Sequence, residues 1–146
     1  MKQDHPYVGV DGIITNENGE ILLMHRTAGA YTGYWGLIAG AIEWEEEVEE
    51  ALKREAIEEI GVELGNIKFV GKYYDKIGRH PTKTFICLPH TCKIIKGIPT
   101  PISECDEVRW FKPEEIKTME LAYDHKKMLE DLNLSLIHIS EPTRRS

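Results

Sequence analysis

The chain is poor in cysteine, with three, Cys87, Cys92 and Cys105, among 146 residues. An odd number without metal-site spacing gives neither a disulfide framework nor the paired ligands of a zinc site. Reduced thiols in a cytoplasmic protein are the expectation. Long hydrophobic runs are also missing. None reaches the roughly 18 residues of a membrane span, and the N-terminus lacks the apolar core of a secretory signal. Positive charge is scarce, at 18 Lys and Arg against 25 Asp and Glu, a net −7. A general nucleic-acid-binding surface is therefore not expected, and no membrane partner is expected either. There is no internal repeat and no low-complexity tract.

What remains suits one globular domain, since 41% of residues are apolar and the length can bury a real core. The expected domain is 1–133. Residues 134–146 are read as a non-native tail, because Leu134 to Arg144 resembles the translation of a transposase sequencing adapter.

The most informative stretch runs from Gly40 to Val62. Its residues from Glu46 to Ile60 are strong helix formers without Pro or Gly, and Gly61 stands where a left-handed cap would. Val48, Ala51, Leu52, Ala56 and Ile60 recur at helical spacing, which predicts one buried face. Glu55, Glu58 and Glu59 lie three and four apart, so their carboxylates project from one side. Like charges about 5 Å apart cost roughly 3 kcal/mol per pair at an effective dielectric near 20. The macrodipole at a helix C-terminus adds to that cost. Such a cluster is either a solvated acidic face, softened by Lys53 and Arg54, or a site for a hard divalent cation.

Gly40, Glu46, Arg54, Glu55, Ala56, Glu58, Glu59, Gly61 and Val62 fill every fixed position of Gly-x5-Glu-x7-Arg-Glu-U-x-Glu-Glu-x-Gly-U, with U aliphatic or small. The segment thus resembles the Nudix box, and the chain resembles a Nudix hydrolase from roughly Tyr7 to Leu132. Two positions near the box depart from the common pattern. Leu37-Ile38-Ala39-Gly40 stands where many members have Leu-Pro-Gly-Gly, and Glu45 stands where Gly is common.

Around the box, strands are expected at Tyr7–Asn16 and Glu20–Arg26, joined at an Asn18-Gly19 hairpin turn. A second pair is expected at Ile67–Asp75 and Lys83–Ile95, with Pro89 marking an edge or a bulge. Glu107–Phe111 reads as a short strand, Lys112-Pro113 as a helical start, and Tyr123–Leu132 as a last amphipathic helix. This order suggests an α/β protein with a mixed sheet between helices. The resemblance implies the same architecture, an α/β/α sandwich with the box helix packed on the sheet.

The resemblance also implies the chemistry, cleavage of a pyrophosphate that links a nucleoside to another group. The expected cofactor is Mg²⁺, with Mn²⁺ as a substitute. A diphosphate repels an attacking water, and a cation between phosphate and carboxylates neutralises that charge. Glu55 and Glu59 are the implied inner ligands, with Glu58 close behind and a backbone carbonyl from Ala39 or Gly40. Glu43 is a candidate for a further ion. Arg54 is expected to point away from the metal face and to hold the loop through Glu46. The general base is left open among Glu59, Glu104 and Asp106.

A small nucleotide is the expected partner, and the resemblance adds a homodimer as one assembly. Arg26 and Arg79 are candidates for phosphate or ribose. Tyr31, Tyr34, Trp35, Trp44 and Tyr123 are candidates for stacking on a base. Val10-Asp11-Gly12-Ile13-Ile14 and Leu121-Ala122-Tyr123-Asp124-His125 are similar to segments of ADP-ribose pyrophosphatase-type members. They imply ADP-ribose or a like substrate. Hydrolysis of an oxidised nucleoside triphosphate and a non-catalytic ligand sensor are the alternatives.

Overall fold

The computed structural model describes residues 5–76 and 80–140, with side chains described as far as residue 132. Among the described residues, seven strands and three helices follow in order: β1 Tyr7–Ile14, β2 Ile21–Arg26, β3 Trp35–Gly36, β4 Ile38–Ala41, α1 Val48–Ile60, β5 Glu63–Phe69, β6 Phe85–Lys96, β7 Cys105–Phe111, α2 Pro113–Ile116 and α3 His125–Ser140. The strands form two sheets. One is mixed, ordered β4-β1-β6-β5, with β1 parallel to β6 and the other pairs antiparallel. The other is antiparallel, ordered β3-β2-β7.

Strand alternation divides the core. Val10 and Ile14 of β1 face α1, where they meet Leu52, Ala56 and Ile60. Small Ala51 and Ala56 let the helix approach closely. Ile13, on the opposite face of β1, joins Leu37, Phe111, Met128 and Leu129 under α3. Each fully buried aliphatic side chain stabilises the fold by about 1.5–3 kcal/mol. Both faces of the mixed sheet are therefore covered, as the α/β sandwich requires.

Several boundaries differ from the sequence expectation, each for a local reason. α1 begins at Val48 because Glu45 adopts φ 63 and the carboxylate of Glu46 turns back to accept the Glu43 N–H at 2.9 Å. Asn16–Gly19 does form a turn, with Asn16 Oδ1 accepting the N–H groups of Asn18 and Glu20. It does not join a hairpin, however. β1 and β2 belong to different sheets, linked at their ends by the Thr15–Ile21 bridge. β5 starts four residues early because Gly65 and Asn66, which read as breakers, are absorbed in a bulge with Asn66 at φ 51. β7 likewise starts early, at Cys105.

Pro89 lies in β6, which is an interior strand of its sheet. Its carbonyl accepts from Val70 N–H, so its missing donor points to the side where β5 has just ended at Phe69. The site is a local edge inside a central strand. α3 continues to Ser140, past Leu132, the expected end of the helix, and no Pro or Gly intervenes before Pro142.

Candidate active site

Gly61 closes α1 in the left-handed conformation (φ 70), and its N–H bonds the Ile57 carbonyl at 3.1 Å. The last carbonyls of the helix still need donors. The following loop supplies them. Thr100 N–H donates to Ile60 O at 3.0 Å, and Ile102 N–H donates to Glu59 O at 2.9 Å. The segment before β7 is thus tied to the helix end. That tie carries Glu104, at φ 62, against the Glu59 side chain.

Glu59 is buried, and its Oε1 has no hydrogen-bond partner. Burial first, then the charges of Glu55 and Glu104, push its carboxyl up to about 9. Glu55 is also pushed up, chiefly by burial, although Arg54 works the other way. It lies beneath β4, where Gly40 makes room. A Cβ there would fall 2.6 Å from Glu55 Cγ and closer still to its carboxyl group. Gly40→Ala is therefore expected to displace Glu55 and cost about 1–3 kcal/mol of stability, measured by denaturant unfolding. An unchanged midpoint would show that the approach is not tight.

Arg54 sits at the centre of the charge network. Its Nε and Nη2 donate to both oxygens of Glu46 at 2.7 and 3.1 Å, and Nη2 also reaches Ala41 O at 3.1 Å. This pairing pulls Glu46 below the ordinary carboxylate range, with help from the Glu43 N–H. In turn Glu46 leads in raising the Arg54 guanidinium above its usual value. Contrary to expectation, Arg54 does not point away from the other glutamates. Its Nη1 donates to Glu55 at 2.9 Å and to Glu58 at 3.2 Å.

The sequence candidates therefore separate. Glu55, Glu59 and Glu104 come together. Glu58 is 57% exposed and leans on Arg54. Glu43 stays on the exposed loop, 3.7 Å from Arg54. Among the described residues, no three His, Cys, Asp or Glu side chains already surround one ion position. The set nonetheless suits a hard cation in chemistry: every donor is oxygen, two carboxyls are raised by burial, and one buried oxygen lacks a partner.

Beside Glu59 lies a cleft of about 180 Å³, lined by Asp11, Arg26, Gly40, Glu104, Tyr123 and His125 among others. Arg26 is held in place by Ala30 O at 2.7 Å and lies over the Tyr123 ring at 5.1 Å. Tyr123 is also parallel to His80, with centroids 6.2 Å apart. Trp35 corrects a stacking expectation. It does not line this cleft, and its ring packs on Phe111 at 5.0 Å and His25 at 5.2 Å, with Arg109 above it. Trp44 is exposed, and Arg79 lies outside the described residues. Asp106 pairs instead with His25 at 2.7 Å. Sequence reasoning assigned no role to Asp11 and His125, a buried pair 3.1 Å apart. The available signal was an Asp in the middle of an apolar strand.

Glu45 occupies a position where Gly is common in the resembling family, and it takes a left-handed φ of 63. Such strain costs on the order of 1 kcal/mol. Ala39 carries no such strain, because it lies in the extended β4.

The NUDIX domain family matches residues 5–132. An ADP-ribose pyrophosphatase of Methanocaldococcus jannaschii is 33% identical over 127 residues, covering 87% of this chain and 73% of its own. A MutT NUDIX hydrolase from Burkholderia pseudomallei superposes with a TM-score of 0.79 at 26% identity, over 87% of this chain and 98% of that one. The NUDIX domain of Shewanella oneidensis NrtR, solved with ADP ribose, reaches 0.79 at 21% identity, over 92% and 90% of the two chains, a likeness of fold.

Proposed function

The chain belongs to the Nudix family and is a pyrophosphate hydrolase of it, and on that premise we propose that it splits a nucleoside diphosphate joined to a second group, ADP-ribose or a close analogue, in a Mg²⁺-dependent reaction. One observation carries the reading. Glu59 is a buried carboxyl with an unpaired oxygen, crowded by Glu55 and Glu104 at the edge of a cleft. Crowded and buried in this way, a carboxyl ionises near neutral pH only where positive charge joins it.

Glu55 and Glu59 would hold the divalent ion, with the Gly40 carbonyl and Glu58 as further candidates. When bound, Mg²⁺ neutralises the diphosphate and acidifies a coordinated water. The chain's own residues supply the remaining functions. Arg54 fixes the entering loop and the side of Glu55. Glu104 lies against Glu59, and these two are the candidate proton acceptors for an attacking water. Arg26 and Tyr123 offer a cation and an aromatic face along the cleft for phosphate and base. The ADP-ribose pyrophosphatase relative supports the substrate class.

The test is a substrate panel of ADP-ribose, NADH, diadenosine polyphosphates and 8-oxo-dGTP, each with Mg²⁺ or EDTA. ADP-ribose should give AMP and ribose phosphate only with the metal. Preference for 8-oxo-dGTP would move the assignment to triphosphate clean-up. Binding without turnover would make the domain a sensor.

A further inference from the structure

One carboxylate stands on the cleft floor with half of its bonding capacity unused. The floor is built by the face of β1 turned away from α1, where Gly9 and Asp11 alternate with the core residues Val10 and Gly12. Gly9 pairs with Ala41 and Cys87, and Asp11 pairs with Ala39. These small neighbours leave a smooth surface that a ring can lie against. The Asp11 side chain is only 3% exposed. Its Oδ1 accepts from His125 Nε2 at 3.1 Å, and His125 Nδ1 accepts the Leu37 N–H at 3.1 Å. Both ring nitrogens are thereby engaged, with the proton on Nε2. Asp11 Oδ2 has no hydrogen-bond partner. A buried acceptor left unmatched is costly, and the fold keeps it beside a cleft.

We propose that Asp11 Oδ2 accepts a hydrogen bond from a ribose hydroxyl of the substrate, which makes Asp11 a specificity-determining residue. The inference rests on the nucleoside diphosphate reading above. A carboxylate only accepts, so its ligand must bring a donor. Position selects the sugar. Asp11 pairs with Ala39, one residue from Gly40, whose backbone lies against Glu55. Asp11 shares the cleft with Glu59, Glu104 and Arg26, the charged groups that would face the phosphates, so a group bound at Asp11 neighbours the diphosphate. A carboxylate also meets a ribose hydroxyl in dinucleotide-binding folds.

The experiment measures kcat/KM for the unmodified chain and Asp11→Asn. The substrates are ADP-ribose, its analogue lacking the two hydroxyls of the nucleoside ribose, and its analogue lacking those of the distal ribose. The unmodified chain should lose about 10- to 100-fold on one analogue, and which one identifies the ribose. In Asp11→Asn that penalty should shrink at least about threefold, the non-additivity expected of groups in contact. Asp11→Ser serves the same purpose should the amide variant fail to fold. An equal penalty in both proteins, or indifference of the unmodified chain to both deletions, overturns the proposal. Absence of turnover on every diphosphate substrate would instead defeat the functional reading itself, and the inference with it.

Discussion

Replacing Glu59 with Gln is expected to lower turnover by about 10²- to 10⁴-fold while leaving the fold at least as stable. The two halves of this result share one cause. Burial and the charges of Glu55 and Glu104 hold the Glu59 carboxyl up to about 9, so near neutral pH it is protonated in the absence of a cation. A neutral amide of the same shape replaces a neutral acid and relieves the repulsion that would follow ionisation. The amide is a poorer metal ligand and no base. Activity and melting temperature, measured on one preparation, check the prediction. A variant that melts well below the unmodified chain would show that Glu59 serves the fold instead.

Arg54→Ala should do the opposite and damage stability first. The guanidinium forks onto Glu46, whose side chain is 14% exposed, and onto Glu55, at 13%. It also satisfies Ala41 O. Removing it leaves two mostly buried carboxylates without their cation. Breaking such a pair typically costs 3–5 kcal/mol, and the solvated rim of this one argues for about 3 kcal/mol. For a domain of this size that is about 10 °C in melting temperature. Arg54→Lys should recover little, because a single ammonium cannot match a two-oxygen fork and still reach Glu55. A thermal melt of both variants decides. A shift of less than about 2 °C in Arg54→Ala would mean that the network is only a surface decoration.

Much of the acidic end of α1 was legible in the sequence, because helical spacing alone places Glu55, Glu58 and Glu59 on one side of the helix. Gly61 announced its cap in the same way. Spacing could not tell which of the three glutamates turns inward. That depends on β4 lying over Glu55 and on the loop before β7 tying itself to the helix end. Trp35 read as a base platform because an aromatic after a small-residue loop looks available, yet β2 and β7 wrap it into the second sheet. The division into two sheets was hidden for a related reason. A strong turn at Asn16–Gly19 signals that the chain reverses but not that its two arms stay paired. Asp11 and His125 are 114 positions apart, so the Asp inside an apolar strand could be noticed in the sequence but its partner could not.

The central claim is that the glutamates late in α1 gather a divalent ion against a diphosphate. Calorimetric titration with Mn²⁺ near pH 7.5, repeated in buffers of different ionisation heat, tests it most directly. The unmodified chain should bind the ion and release about one proton, which Glu59 must surrender to become a ligand. Glu59→Gln should bind more weakly and release none. Equal affinity and equal proton release in the two proteins would contradict the account.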